Sequence, residues 1–275
     1  MLRWSLLLVV LVLALTACAK VEGSGRSQLK LMPDSTMNSQ GAAAYAAVKQ
    51  SEKPCTDQAT VAWVTRLGQR LAVAQPQVTS DRKFQYEFTV LESESVNAFC
   101  LPGGKVAVYT GILPYAENEA GLAAVLGHEI AHATCDHGNE RVSQNMITGF
   151  GQSALAVGLQ QAGYQQDTST MILAAAGGLT QVGILLPYSR SHELEADALG
   201  LKYMAAAGYD PREAVKFWQR FATLGGSGPS FMSTHPQSED RAARLAELMP
   251  AALVIYEKAP VKYGAGEPVP AQYRK

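Results

Sequence analysis

The feature of this sequence most suited to chemistry is a pair of histidines four residues apart. In the segment His128-Glu129-Ile130-Ala131-His132, a glutamate directly follows the first of them. On a helix, residues with this spacing lie on one face and one turn apart, so both imidazoles could hold the same metal ion. The carboxylate of Glu129 could then accept a proton from a water on that ion. The segment therefore predicts a metal site with His128 and His132 as ligands and Glu129 as general base.

A third ligand must come from elsewhere in the chain. The pattern that places a third histidine six residues after the second is not met, because that position is Gly138. His137 lies one residue short of it, and we expect it to be a helix-end or loop histidine without a metal. A downstream acidic segment offers the carboxylates of Glu193, Glu195 and Asp197 instead.

Helical spacing separates the roles of these three carboxylates. Glu193 and Asp197 are one turn apart and share a face, whereas Glu195 points about 200° away from Glu193. A carboxylate beside a ligand is what a metal site needs to fix the tautomer of an imidazole, which suits Asp197. We expect Glu195 to be exposed and dispensable, and His192 to be a neighbour that does not bind metal. The alternative is that Glu193 and Asp197 form only a solvated acidic helix face.

The order of these motifs resembles that of peptidase family M48, a family of zinc metallopeptidases. The matching features are HEIAH at 128–132, ExxAD at 193–197 and Thr234-His235-Pro236, with Arg241 six residues after the histidine. The segment 96–111 is similar to the strand that precedes the active-site helix in that family. The likeness covers roughly residues 55 to 255 and is greatest to periplasmic lipoprotein members and to the mitochondrial inner-membrane quality-control metallopeptidase.

The resemblance implies a role for each motif residue. It implies one zinc ion per chain with three ligands, His128, His132 and Glu193. It also implies Glu129 as the base and Asp197 as the carboxylate that orients a ligand histidine. His235 matches a histidine that can lie over the zinc, and Arg241 matches an arginine suited to hold a developing oxyanion. Without the resemblance, His235 could be an ordinary loop histidine before a proline, and Arg241 an exposed helix residue.

These roles predict a zinc-dependent endopeptidase that hydrolyses internal peptide bonds of misfolded or unassembled cell-envelope proteins. An extended substrate could add to an exposed strand at 105–110, which would recognise backbone more than side chains. The alternative is a chaperone-like or assembly-factor lipoprotein that binds outer-membrane proteins and cleaves little. The sequence has no internal repeat that would support such binding. A cleavage assay with and without chelator would separate the two hypotheses.

The N-terminus predicts export and lipid anchoring. A basic start precedes the apolar run 6–15, which is too short to span a bilayer as a stable helix. Leu15-Thr16-Ala17-Cys18 resembles the lipobox of bacterial lipoproteins, in which the cysteine is acylated and becomes the new N-terminus. This predicts a signal peptide at 1–17, a lipid anchor at Cys18 and a tether to residue 45, facing the periplasm. Ala19 favours the outer membrane, and the alternative is a plain signal peptide cleaved near Ala19.

Composition limits the partners. The 275 residues include 23 Lys and Arg against 24 Asp and Glu, a net charge of -1. No field of one sign would attract a polyanion, so nucleic acid is not an expected partner. Apolar residues make up 47% and charged residues 17%, which is typical of a globular protein whose bulk is folded. The expected partners are unfolded or extended polypeptides and, through the anchor, a membrane.

The pattern of elements predicts an α+β fold, a mainly helical zincin-like metallopeptidase domain at 46–257. A small antiparallel sheet should lie beside the active-site helix. Alternation from Phe84 to Val90 indicates a strand, and two glycines after Pro102 indicate a hairpin of 96–101 with 105–110. Helices are expected at 59–74, 118–134, 191–207, from 210 to the glycines at 225–226, and at 239–248. The Pro- and Gly-rich tail 258–275 is expected to fray.

The segment 142–189 allows two interpretations. It carries a single charge, Asp167, and could form a membrane hairpin. Gly, Gln and Thr interrupt it repeatedly, which favours a segment outside the membrane.

The cysteines predict one disulfide bond. Beyond Cys18 the chain has Cys55, Cys100 and Cys135, an odd number for an oxidising compartment, so one thiol should stay free. Cys135 follows the metal motif on an expected helix, where burial would protect it. We therefore expect Cys55 to pair with Cys100. The alternative is three unpaired thiols, since sequence does not determine connectivity.

Overall fold

The computed structural model describes residues 18–79, 84–161, 188–222, 231, 233, 235 and 241–274. These residues form the expected mainly helical α+β fold. None of the helices within these ranges is both long and apolar enough to cross a membrane. The expected helix end at glycines 225–226 lies outside the described residues, and so does much of the segment 142–189.

Eight α-helices account for most of the described chain. They are α1 Asp34–Ser51, α2 Gln58–Ala74, α3 Leu113–Ala116, α4 Glu119–Thr134, α5 His137–Gln161, α6 Arg190–Ala206, α7 Arg212–Ala222 and α8 Arg241–Lys258. The helices predicted at 59–74, 118–134 and 191–207 match α2, α4 and α6 to within a residue. The helix predicted at 239–248 is longer, because α8 continues past Pro250 to Lys258.

The segment after Cys18 is folded, where a tether was expected. The strands β1 Cys18–Lys20 and β2 Ser27–Leu29 pair antiparallel, and residues 18–29 are called the N-terminal hairpin below. α1 follows, and the hydroxyl of its buried Tyr45 lies 2.6 Å from Oγ1 of Thr89 in the sheet. The expected boundary between tether and domain at residue 45 therefore falls inside a packed helix. Acylation of Cys18 stays a prediction.

A three-stranded mixed sheet lies beside α4, where an antiparallel sheet was expected. Its strands are β3 Glu87–Leu91, β4 Ala98–Leu101 and β5 Lys105–Tyr109, in the order β3-β5-β4. The predicted hairpin is confirmed, since β4 and β5 pair antiparallel and Gly103 and Gly104 between them have positive φ. β3 pairs parallel with β5. The strand at 105–109 is thus central, so the prediction of an exposed strand there is wrong, and the edge beside α4 belongs to β4.

The helix that carries the histidine pair, α4, occupies the centre of the domain. Asn118 caps it, and its side-chain oxygen accepts the N–H of Gly121 at 2.9 Å, as predicted. Every residue of α4 is buried, because α2, α6, α7 and β4 pack around it. The motif residues are therefore held in the interior rather than on a surface face.

The C-terminal tail is folded, where fraying was expected. The N–H groups of Glu119 and Ala120, in the first turn of α4, donate to the carbonyls of Glu267 at 2.9 Å and Ala265 at 3.0 Å. First-turn N–H groups have no partner inside their own helix, so the tail supplies the missing acceptors. Val269 is only 1% exposed and anchors the tail in the core. The tail thus supports the helix that carries the metal motif.

The described thiols of Cys55, Cys100 and Cys135 are all free and buried, so the predicted disulfide is wrong. The N–H of Cys55 donates to the carbonyl of Val90 in β3, whereas Cys100 lies in β4. Since β5 separates β3 from β4, the two cysteines are three strand spacings apart, roughly 14 Å. A disulfide needs Cα atoms within about 7 Å. The order of strands in the sheet therefore rules the bridge out.

Candidate metal centre

Four buried side chains place atoms that could bind a metal within 4.8 Å of one another: His128, His132, Glu193 and His235. These four side chains are called the donor group below. The two Nε2 atoms of the α4 histidines are 3.0 Å apart. Glu193, in the first turn of α6, lies 3.4 Å from Nε2 of His128 and 3.3 Å from Nε2 of His132. The structure thus brings the three predicted ligands to one point.

The chemistry of this donor set fits a metal ion. Oε2 of Glu193 and Oε1 of Glu129 are buried and have no hydrogen-bond partner among the described residues. Buried polar atoms are normally paired, so two orphaned oxygens beside converging imidazoles indicate a missing partner. Imidazole nitrogen and carboxylate oxygen are ligands that zinc accepts. An ion with its water would satisfy both oxygens.

Charges within the centre prepare it for a cation. Burial alone would raise the pKa of Glu193, but the three histidines hold it well below its usual value, so Glu193 is ionised. Burial lowers the pKa of His132, which keeps that ring neutral as a ligand must be. For His128, burial and Arg241 lower the pKa, yet Glu193 and Asp197 outweigh them and raise it to about 9. A metal would therefore compete with a proton at His128.

Glu129 lies where a general base is needed. Its carboxylate is buried, and burial raises its pKa above that of an exposed glutamate, which makes it a stronger base. Its Oε1 lies 3.4 Å from Nε2 of His235. Glu129 therefore lies beside the donor group but is not one of its four members, as predicted from the sequence.

His235 lies over the donor group, as the resemblance implied. Its Nδ1 is 3.0 Å from Oε1 of Glu193, and its ring stacks on Phe231 with centroids 4.3 Å apart. Catalytic zinc sites use three protein ligands and keep the fourth position for water. His235 is therefore close enough either to serve as a further ligand or to contact a substrate bound over the other three side chains.

Asp197 lies behind His128, in the predicted position. Its Oδ1 is 2.9 Å from Nδ1 of His128, on the side of the ring opposite the metal-facing Nε2. Arg241 donates from Nε to the same oxygen at 3.1 Å, and its guanidinium lies 3.5 Å from the centre of the Trp218 ring. The Nη1 atom of Arg241 is buried, has no hydrogen-bond partner among the described residues and lies 3.6 Å from Oε2 of Glu193. The contact of Arg241 with an oxyanion stays a prediction.

Of three further residues beside the centre, one was misjudged, one was missed and one lies where it was expected. Glu195 was expected to be exposed, but it is buried and hydrogen-bonded to His137. Glu195 does point away from Glu193 on α6, as predicted. The face of α6 that carries Glu195 is covered by the N-terminal hairpin and α5, so it is not exposed to solvent. Tyr188 stacks on His132 with ring centroids 3.8 Å apart, and no sequence signal identified it. His192 lies outside the donor group, as expected, and its Nε2 is 3.0 Å from Oε2 of Glu140.

Comparison with known proteins agrees with this centre. Peptidase family M48 matches residues 58–249. The mitochondrial metalloendopeptidase OMA1 of Schizosaccharomyces pombe is 36% identical over 201 residues, which is 72% of this chain and 56% of that protein. The OMA1 of Arabidopsis thaliana is 33% identical over 199 residues, 71% of this chain and 39% of that protein.

A bacterial relative is also similar. The putative beta-barrel assembly-enhancing protease of Vibrio cholerae is 32% identical over 189 residues, 65% of this chain and 37% of that protein. The chain therefore spans from about a third to just over half of the length of these relatives. Because the family match runs from α2 into α8 and contains all four side chains of the candidate metal centre, the chain belongs to peptidase family M48.

Proposed function

We propose that this protein is a zinc-dependent endopeptidase that cleaves extended segments of unfolded polypeptides. The observation that carries the proposal is the buried carboxylate of Glu129 beside the three ligand side chains His128, His132 and Glu193. Two imidazoles and a glutamate form a known ligand set of catalytic zinc, so one zinc ion per chain is proposed. The relatives named metalloendopeptidase or protease support this activity.

The chain's own residues would act on water and on the substrate in sequence. When bound, the ion supplies the Lewis acidity that lets water attack a peptide carbonyl at neutral pH. Glu129 accepts the proton that the attacking water gives up, at Oε1, which has no hydrogen-bond partner among the described residues. As the C–N bond breaks, Glu129 passes this proton to the leaving nitrogen. Nη1 of Arg241 or Nε2 of His235 donates to the developing oxyanion.

An extended substrate would bind along the outer edge of β4, which pairs with no other strand in the part of the chain that the structure describes. The N–H of Tyr109 donates to the carbonyl of Asn97 at 3.1 Å. Since hydrogen-bonded pairs alternate along antiparallel strands, the backbone groups of Ala98 and Cys100 face away from β5 and towards this edge. β4 packs against α4, the helix that carries Glu129, so a substrate strand at this edge would lie beside the base. Strand addition there would recognise backbone rather than sequence.

The proposed location is the periplasmic side of the bacterial outer membrane, with Cys18 acylated as the anchor. The segment Leu15-Thr16-Ala17-Cys18 supports it, and so does the name of the Vibrio cholerae relative. Misfolded or unassembled envelope proteins are the proposed substrates. In Cys18→Ser, metabolic labelling with a fatty acid should no longer mark the protein. Persistent labelling would contradict the anchor.

Cleavage of an unfolded protein tests the activity. The mature chain should cleave casein, lose this activity in chelator and regain it with zinc. Glu129→Gln should bind as much zinc as wild type and cleave about 100-fold more slowly or worse, because the amide cannot accept the proton. Glu247→Gln, at an exposed position on α8, is the matched control and should cleave normally. Binding of unfolded outer-membrane proteins without chelator-sensitive cleavage would contradict the peptidase and favour a chaperone-like role.

A further inference from the structure

A chain of hydrogen bonds runs from the ligand His132 to the N-terminal hairpin. Nε2 of His132 faces the donor group, and Nδ1 of the same ring lies 2.8 Å from Nδ1 of His137. On its other side, Nε2 of His137 lies 2.8 Å from Oε2 of Glu195. Both His137 and Glu195 are buried, so bulk water does not compete for these bonds.

The direction of each bond follows from the metal site. A ring that offers its Nε2 lone pair to a metal carries its proton on Nδ1, so His132 donates and Nδ1 of His137 accepts. Because Nδ1 of His137 accepts this bond, the proton of the His137 ring is on Nε2, the atom 2.8 Å from Oε2 of Glu195. That atom therefore donates to Glu195. Each group fixes the tautomer of the ring before it.

Glu195 is held in turn by the loop of the N-terminal hairpin. Arg26 donates to Oε2 from Nε at 3.0 Å and from Nη2 at 2.8 Å, and the hydroxyl of Ser24 donates to Oε1. The carboxylate therefore has a donor at both oxygens, and the cation of Arg26 lies against it.

We propose that His137 and Glu195 form a positioning relay for the ligand His132, completed by the N-terminal hairpin. The proposal rests on the proposed function, because it needs a metal at the donor group. The relay gives His132 the support that Asp197 gives His128, through a second histidine instead of a direct contact. Docking of the hairpin, the segment that would carry the lipid anchor, then contributes to metal affinity.

A second metal ion is the competing explanation for this cluster. Cys135, His137 and Glu195 also place ligand atoms within 4.8 Å of one another. Both nitrogens of His137 and both oxygens of Glu195 are already used in hydrogen bonds, and the cation of Arg26 lies against the carboxylate. Burial also raises the pKa of the Cys135 thiol, which disfavours the thiolate that a metal needs. These contacts favour the relay.

The test measures zinc affinity by competition with a chromophoric chelator, a readout that does not depend on cleavage. His137→Leu removes both hydrogen bonds and should weaken zinc binding by about 10- to 100-fold, as expected for loss of a group behind a ligand histidine. His137→Gln offers a carbonyl oxygen to His132 and an amide N–H to Glu195. It should therefore restore the affinity to within a few-fold of wild type, a rescue that a purely structural role would not give.

Two changes near the hairpin separate the relay from general loosening. Arg26→Gln removes the cation behind Glu195 and should weaken zinc binding several-fold, and it keeps the proposal testable if His137→Leu does not fold. Lys30→Ala is the matched control, because Lys30 pairs with Asp136 at 2.6 Å and lies outside the relay. It should leave zinc affinity unchanged. Equal losses in these two variants would overturn the relay.

Zinc stoichiometry distinguishes failure of this proposal from failure of the proposed function. A wild-type protein that binds no zinc would overturn the function itself. One zinc per chain with unchanged affinity in His137→Leu and Arg26→Gln would overturn only the relay. Two zinc ions per chain, with one lost in Cys135→Ser, would overturn the relay as well. One zinc per chain, weakened in His137→Leu and recovered in His137→Gln, is the expected result.

Discussion

Gly127 and Gly200 face each other where α4 crosses α6. A Cβ on Gly127 would lie 2.7 Å from the carbonyl oxygen of Gly200, and a Cβ on Gly200 would lie 2.6 Å from the backbone nitrogen of His128. Neither position has room for a side chain, so the two backbones are in contact directly beside the metal centre. This close approach brings Glu193 of α6 within ligand distance of both histidines of α4.

Gly200→Ala should damage both the fold and the metal centre. The added methyl group would push α6 away from α4 and lower the free energy of unfolding by about 1–3 kcal/mol, the usual cost of overpacking. It should also weaken zinc binding, because Glu193 moves with α6. Gly138→Ala is the matched control, since a Cβ there meets nothing within 4 Å and alanine suits a helix better than glycine. Denaturant unfolding and zinc competition measure both effects, and equal losses in the two variants would contradict the close-contact argument.

The residues of the metal centre were predictable because their relationship is local. His128 and His132, and likewise Glu193 and Asp197, are one helical turn apart, so spacing alone puts each pair on one face. The family resemblance then joined the two pairs. The cap at Asn118 was predictable for the same reason, since it needs only the helix that follows.

Features that depend on distant packing partners could not be predicted in this way. Glu195 has the expected angle on α6, but its burial depends on Arg26, 169 residues earlier in the chain. β5 is the central strand because it pairs in parallel with β3. The alternation of apolar and polar residues identifies a strand but does not show which strands are neighbours in the sheet. The tail has a composition typical of frayed ends, yet Val269 finds a core position.

Glu193 and His235 should differ in their effect on zinc. Glu193→Ala leaves two histidines and should weaken zinc binding by more than about 100-fold, beyond the loss expected for a group behind a ligand. His235→Ala keeps the three predicted ligands and should still bind one zinc per chain after dialysis against a mild chelator. Metal content by mass spectrometry measures both. Loss of zinc in His235→Ala with retention in Glu193→Ala would show that the ligand assignment is wrong.

Three thiols should be protected in the native protein and free after unfolding. Cys55, Cys100 and Cys135 are buried without a disulfide, and burial raises the pKa of Cys100 and Cys135, so little thiolate is available. In Cys18→Ser, an alkylating agent without reductant should add no group to the native protein and three groups in urea. Mass spectrometry counts the groups. A single addition in urea would indicate a disulfide and contradict the free thiols.

If the C-terminal tail supports α4, a substitution that weakens the packing of the tail should lower the free energy of unfolding. Val269→Ala removes two methyl groups from a side chain that is 1% exposed and should lower the free energy of unfolding by about 1–3 kcal/mol. Val261→Ala is the matched control on the same tail, because its side chain is 50% exposed and its loss should change stability by no more than about 0.5 kcal/mol. Urea unfolding of both variants with zinc bound measures the difference. If Val269→Ala were as silent as Val261→Ala, the tail would not be packed as described, and the carbonyls of Ala265 and Glu267 would not support the first turn of α4.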